Sequence, residues 1–192
     1  MPGRLITVEG LDGAGKTTLA TALAQQLGAT ALREPGGVEI AERIREIVKG
    51  SECDARAEAL LFAAARAQLV AEALRPRLDA GETVVLDRFV DSSLAYQGAG
   101  RGLGLDAVRA INAFATGGLA PDVTLYLRID PERGLDRVGG RGGGDRFESL
   151  ELLRRVAAAY DELAAAEPER FVVLDAAQPP QVVLDAALQA LA

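Results

Sequence analysis

The chain has 192 residues, with 21 basic against 28 acidic side chains, a net charge of −7, no His and one Cys. Without histidine there is no Ser-His-Asp or Cys-His triad, no His-ligated zinc and no imidazole base, and the lone Cys53 can form neither an intramolecular disulfide nor a thiolate cluster. The acidic balance argues against a general nucleic-acid binder, whose affinity needs a basic face, while the length suits a single domain over 1–192 that buries roughly 70% of its unfolded surface.

Met1 to Arg4 leads directly into an apolar strand pattern rather than a signal peptide, and no apolar stretch approaches the roughly 18 residues of a membrane span. A soluble cytoplasmic protein without nucleic-acid or membrane partners is expected. Short runs rich in Val, Ile and Leu alternate with Ala/Leu segments of helical period, which predicts an α/β fold with parallel strands joined by crossover helices. The predicted strands are Leu5 to Glu9, Ala29 to Arg33, Thr83 to Asp87, Val123 to Ile129 and Phe171 to Asp175. The predicted helices are Lys16 to Leu27, Glu39 to Val48, Ala55 to Leu78, Ser92 to Gln97, Asp106 to Ala115, Pro131 to Arg137, Phe147 to Ala166 and Pro180 to Leu191.

Between the first strand and the first helix, Gly10-Leu11-Asp12-Gly13-Ala14-Gly15-Lys16-Thr17 matches the G-x-x-x-x-G-K-[ST] phosphate loop. Its glycines let backbone N–H groups turn inward around phosphate oxygens, and the helix N-terminus adds its positive end. Lys16 supplies a point charge at the β- and γ-phosphates, and the Thr17 hydroxyl is placed to ligate Mg²⁺. A turn that merely needs glycine would not explain Lys followed by Thr. All but two of the 21 basic residues are Arg, a bias that GC-rich codon usage accounts for, so Lys16 and Lys49 invite inspection.

The third predicted strand ends in Asp87-Arg88-Phe89. At the carboxyl edge of a doubly wound sheet, Asp87 could hold the metal or its water and Arg88 could pair with a second phosphate; a plain Asp–Arg ion pair is the simpler alternative. On the helix from Ala55, Glu58, Phe62 and Arg66 recur every four residues and share a face. That face can stack an aromatic on a base and aim a guanidinium at its carbonyl, or can serve only core packing and a Glu–Arg relation within the helix. The Gly139 to Gly144 patch around Arg141 suits a lid over a site at about 137–148 better than a linker, because too little chain follows to form a second domain.

These features resemble the thymidylate kinase family along nearly the whole chain. The resemblance is carried by Glu9 to Thr18, Arg33-Glu34-Pro35-Gly36-Gly37, Leu61 to Arg66, Asp87-Arg88-Phe89, Ser92-Ser93-Leu94-Ala95-Tyr96-Gln97-Gly98 and Asp145-Arg146-Phe147-Glu148. It implies a P-loop nucleoside monophosphate kinase-like fold with a five-stranded parallel sheet flanked by helices on both faces. It also implies a homodimer, Mg²⁺ dependence, and transfer of the ATP γ-phosphoryl group to dTMP, giving dTDP. By the same resemblance Asp12 reaches the sugar 3′-hydroxyl, Phe62 stacks on thymine, Arg66 bonds O4, Arg88 holds the acceptor phosphate, Tyr96 lies against the deoxyribose, and Ser93 or Gln97 meets the base N3–H. Glu34, Pro35 and Ser92 complete the implied acceptor side, and Thr18 and Arg137 the donor side.

Members of the family carry an arginine either inside the phosphate loop or in the lid; here the loop has Gly13, and Arg137, Arg141 and Arg146 stand in the lid. The aromatic after Asp87-Arg88 is Phe89 where Tyr is frequent. An arginine that enters on closure stabilises the transition state more than the separate substrates. Arg141→Ala is therefore expected to lower kcat by about 10³ to 10⁵ with little change in substrate KM, and an unchanged kcat in steady-state assays would reject Arg141 in that role.

Overall fold

The computed structural model describes residues 3–139 and 150–192. Its strands are β1 (Arg4–Gly10), β2 (Thr30–Arg33), β3 (Thr83–Asp87), β4 (Val123–Arg128) and β5 (Phe171–Asp175). They form one sheet, all pairs parallel, in the order β2-β3-β1-β4-β5. The predicted strands all form, with Ala29 and Ile129 falling just outside β2 and β4.

The apolar alternation sorts side chains to two faces, as the period-2 geometry of a strand requires. Leu5, Val84 and Leu86 pack with Leu69, Val70 and Leu74, whereas Ile6, Val8 and Val85 belong to the larger core with Leu19 and Leu23. The helices that supply these contacts are α1 (Lys16–Leu27), α2 (Glu39–Gly50) and α3 (Ala55–Leu69), then α4 (Arg75–Asp79), α5 (Val90–Ser93), α6 (Leu105–Thr116), α7 (Pro131–Gly139), α8 (Leu150–Ala166) and α9 (Pro180–Leu191). None of the described helices is long and apolar enough to cross a membrane.

Two of the predicted helices are not uniform. The helix expected over Ala55 to Leu78 opens into a π-helical stretch, Val70–Leu74, before α4. Pro76 has no N–H for an i−4 bond and its ring crowds the preceding turn, and the strain is relieved by the wider spacing in which the Arg75 N–H donates to the Val70 carbonyl. The helix expected over Ser92 to Gln97 is a short α5 followed by a π-helical stretch, Leu94–Gly100, closed by Arg101 N–H to the Tyr96 carbonyl at 2.8 Å. A Cβ on Gly100 would lie 2.8 Å from Leu152 Cδ1, so the missing side chain lets α8 pack directly on this stretch. The expected start of α8 at Phe147 falls outside the described residues.

β1 is central, with β3 on one side and β4 on the other, and Val8 is level with Asp87. The register brings the carboxyl ends of β1 and β3 side by side, and with them the loop after Gly10 and the turn after Asp87. A buried charge is neutralised nearby: Asp91 accepts from Arg170 at 2.7 and 3.0 Å, and Arg170 also donates to Thr124 Oγ1.

Candidate active site

The phosphate loop runs from the end of β1 into α1, whose N-cap is Gly15 in the left-handed region. Lys16 is buried; its Nζ donates to the Leu11 carbonyl at 2.7 Å and stands 3.6 Å from Asp12 Oδ1. Burial, and then the neighbouring Arg88, bring its pKa down from 10.5 to about 8. One turn of loop away, Gly13 has φ +80°, and a Cβ there would come within 2.2 Å of the Gly134 carbonyl oxygen on α7. Position 13 is thus closed to every side chain, arginine included. Arg137, also on α7, donates to the carbonyls of Gly13 and Ala176 at 3.2 and 3.0 Å, and Val138 and Thr18 line the cavity at the phosphate loop.

Thr17 Oγ1 donates to Asp87 Oδ2 at 2.5 Å, while Asp87 Oδ1 is buried without a hydrogen-bond partner among the described residues. A hydroxyl beside an unsatisfied carboxylate oxygen is the donor chemistry Mg²⁺ takes, one carboxylate with the rest supplied by water and phosphate. No cluster of three or more His, Cys, Asp or Glu suited to holding a metal occurs among the described residues.

Arg88 follows with φ +72°, a left-handed conformation that costs a non-glycine residue energy and needs support. Support comes from Glu9. Its Oε1 accepts from the N–H groups of Phe89 at 2.7 Å and Ser92 at 3.3 Å, and its Oε2 accepts from the Ser92 hydroxyl at 2.5 Å and the Tyr160 hydroxyl at 2.9 Å. So held, the Arg88 guanidinium pairs with Asp12, donates to Ser92 Oγ at 3.2 Å and lies 5.1 Å over the Tyr96 ring. Burial alone would lower the Arg88 pKa, but the Asp12 charge leads the groups that carry it well above its ordinary value. Tyr96 OH donates to Asp12 Oδ2 at 3.3 Å, so Asp12 links Lys16, Arg88 and Tyr96 where the two halves of the cleft meet.

Beyond Arg88 the cleft deepens between α2, α3 and the Leu94–Gly100 stretch. Phe62, half-buried, and Pro35 both line it. Arg66 is 3% exposed and donates to Glu34 Oε2 at 2.7 Å, Ser93 Oγ at 2.9 Å, the Phe89 carbonyl at 2.9 Å and Asn112. Burial raises the Glu34 pKa, and the Arg66 charge opposes that shift. Gln97 and Arg101 both donate to buried Glu58. Arg45 and Lys49, on α2, line both this cleft and the cavity at the phosphate loop.

The thymidylate kinase family model matches residues 8–187. The chain belongs to the thymidylate kinase family. It is 47% identical to a thymidylate kinase of Bacillus pumilus, covering 100% of this chain and 96% of that protein. It is 51% identical to one of Deinococcus radiodurans over 92% and 90% of the two chains. A crystal structure of thymidylate kinase from Ehrlichia chaffeensis superposes with a TM-score of 0.81 at 26% identity, covering 100% of both chains. The P-loop nucleoside monophosphate kinase fold expected from the sequence is thereby shown.

Among the residues singled out from sequence, Asp12, Lys16, Thr17, Asp87 and Arg88 converge where β1 and β3 end, and Phe62, Arg66, Ser93, Tyr96 and Gln97 line the adjoining cleft. Arg141 and Arg146 lie outside the described residues. Glu58 and Arg66 do not pair along their helix: Arg66 turns to Glu34 and Glu58 to Arg101. Nor do Asp87 and Arg88 form the simple ion pair, since Arg88 bonds Asp12. The Ser92 hydroxyl is engaged by Glu9 and Arg88, which makes it a prop beneath the cleft. Sequence reasoning missed Glu9, Arg45, Glu58 and Arg101 as site residues. Glu9 stood in the open as an acid in an otherwise apolar, doubly buried strand.

Burial first, and Asp91 second, raise the Glu9 pKa from 4.5 to about 7. Between these values the folded chain retains a proton that the unfolded chain has lost, so this group's contribution is most favourable below pH 4.5 and declines as pH rises to 7. Thermal melts at pH 5 and pH 7 should therefore differ less in Glu9→Gln than in the parent chain. An equal pH dependence in the two proteins would show that Glu9 does not carry this titration.

Proposed function

We propose that this chain, acting as one P-loop domain, transfers the γ-phosphoryl group of ATP to dTMP, giving dTDP. The observation that carries the reading is the junction at Asp12. A phosphate loop with Lys16 opens on one side, and a cleft with Arg88, Phe62, Ser93 and Gln97 opens on the other. Family membership supports the substrate pair.

The acceptor is a phosphate monoester whose second pKa is near 6, so at neutral pH it is mostly a dianion and needs no general base. This suits a chain without histidine. An oxygen of the dTMP phosphate forms a bond to the γ-phosphorus as the bond to the ADP oxygen breaks. The protein's task is to hold two anions in line and neutralise their charge. Lys16 and the loop N–H groups hold the donor phosphates. Arg88, set in its strained turn, fixes the acceptor phosphate, and Asp12 orients Arg88 and takes the 3′-hydroxyl. Phe62 stacks on the base, Arg66, Ser93 and Gln97 address its polar edge, and Tyr96 lies against the sugar. Thr17 and Asp87 would hold Mg²⁺, which when bound neutralises part of the phosphate charge. Arg137 belongs to the donor side, and Arg141 or Arg146 supplies the arginine that the loop cannot carry at position 13.

The reading extends to a cytoplasmic homodimer. Phe114 on α6 is 92% exposed and Leu60 on the adjacent α3 is 57% exposed, which offers apolar surface to a second copy. Sedimentation should give twice the 20.1 kDa chain mass; a monomer at micromolar concentration would overturn the dimer.

A panel of nucleoside monophosphates assayed with ATP, with and without Mg²⁺, tests the activity. dTMP should be preferred and turnover should require the ion. Preference for another acceptor would identify a different nucleotide kinase, and ATP hydrolysis that no acceptor changes would indicate a regulatory ATPase.

A further inference from the structure

Beside Arg66, which can only donate and so suits O4, base selection in the acceptor cleft depends on which way two small polar groups point. A keto pyrimidine presents an acceptor at O4 and a donor at N3–H, whereas cytosine presents a donor at N4 and an acceptor at N3. Ser93 and Gln97 are four residues apart on one helical face and both line the cleft. The Ser93 oxygen accepts from Arg66 Nη1 at 2.9 Å, so its own O–H remains to donate. A hydroxyl also keeps a second lone pair and can answer either base, so Ser93 discriminates little.

Gln97 is different. Its side-chain amide has a donor end and an acceptor end, and in isolation it could present either. It is 5% exposed, and its Nε2 donates to Glu58 Oε1 at 2.8 Å. Glu58 is 2% exposed, and its other oxygen accepts from Arg101 Nη2 at 3.0 Å. A carboxylate bridged to an arginine offers only acceptors. It therefore fixes the NH₂ end of Gln97 toward itself and leaves Oε1, which has no hydrogen bond among the described residues, for the cleft. Reversing the amide would bring two oxygens together in a buried site and leave the cleft lined by a donor.

We propose that Glu58 is a positioning residue for base selection, which turns the Gln97 amide so that its oxygen faces the cleft and so restricts the acceptor to keto pyrimidines over cytosine. The inference rests on the dTMP reading above and adds to it the residue that sets the polarity of the base-reading wall.

The test compares kcat/KM for dTMP and dCMP in the parent chain and in Glu58→Gln, whose amide can accept from or donate to Gln97 and so releases the constraint. The ratio of dTMP to dCMP should fall by at least about tenfold, through a higher KM for dTMP and a gain on dCMP, with KM for ATP unchanged. Glu58→Met, of similar length and without an acceptor, should do the same and serves if the Gln variant does not fold, as judged by its melting temperature. A ratio unchanged from the parent chain, or equal losses on both substrates, would make Glu58 merely structural and overturn the proposal. If the parent chain itself uses dCMP as well as dTMP, the dTMP reading falls first.

Discussion

The Glu9 carboxyl under the Arg88 turn is the constraint on which the cleft depends. One side chain at the end of β1 receives the N–H groups that follow Arg88, the Ser92 hydroxyl and the Tyr160 hydroxyl from α8. It joins three parts of the chain that are far apart in sequence, and it satisfies donors that a left-handed Arg88 leaves at the head of α5. Burying a carboxyl in that position is costly, as its raised pKa records. The energy is recovered by saturating both oxygens, and the result is an arginine held in a left-handed backbone conformation with its guanidinium on Asp12.

From that anchor the charge pattern of the site follows. An acidic chain lines its cleft with cations by local pairing rather than by net charge. Arg88 is set against Asp12, Arg66 against Glu34, and Arg101 against Glu58. Each guanidinium is fixed by a carboxylate behind or beside it, so its direction is set before a substrate arrives and little ordering remains to be done on binding. Arg45 and Lys49 line both the cleft and the cavity at the phosphate loop.

Much of this was legible in the sequence because the informative signals are local. The strand-to-helix context of Gly10 to Thr17 located the phosphate loop, and the apolar runs located every strand of the sheet. The spacing of Glu58, Phe62 and Arg66 put all three on one helical face, and that face lines the cleft, although only Phe62 and Arg66 were expected there as site residues. What periodicity could not tell was partnership. Glu58 and Arg66 share a helical face, yet each finds its opposite charge on another element, and only the fold brings Glu34 and Arg101 to them. The π-helical stretches were equally hidden, since a helical sequence pattern does not distinguish the two spacings. Pro76 was the visible clue to the first; the second depends on how closely Leu152 approaches Gly100. Glu9 was the other legible clue, since an acid in a strand buried on both faces needs donors to meet it.

The contact between Gly13 and Gly134 has an evolutionary consequence. The two backbones meet so closely that neither position has room for a Cβ without displacement. A chain built this way cannot gain an arginine at position 13 by one substitution, because α7 would first have to withdraw. A route to a larger residue at position 13 then crosses a valley in which the loop is already disturbed before the new side chain has found a place.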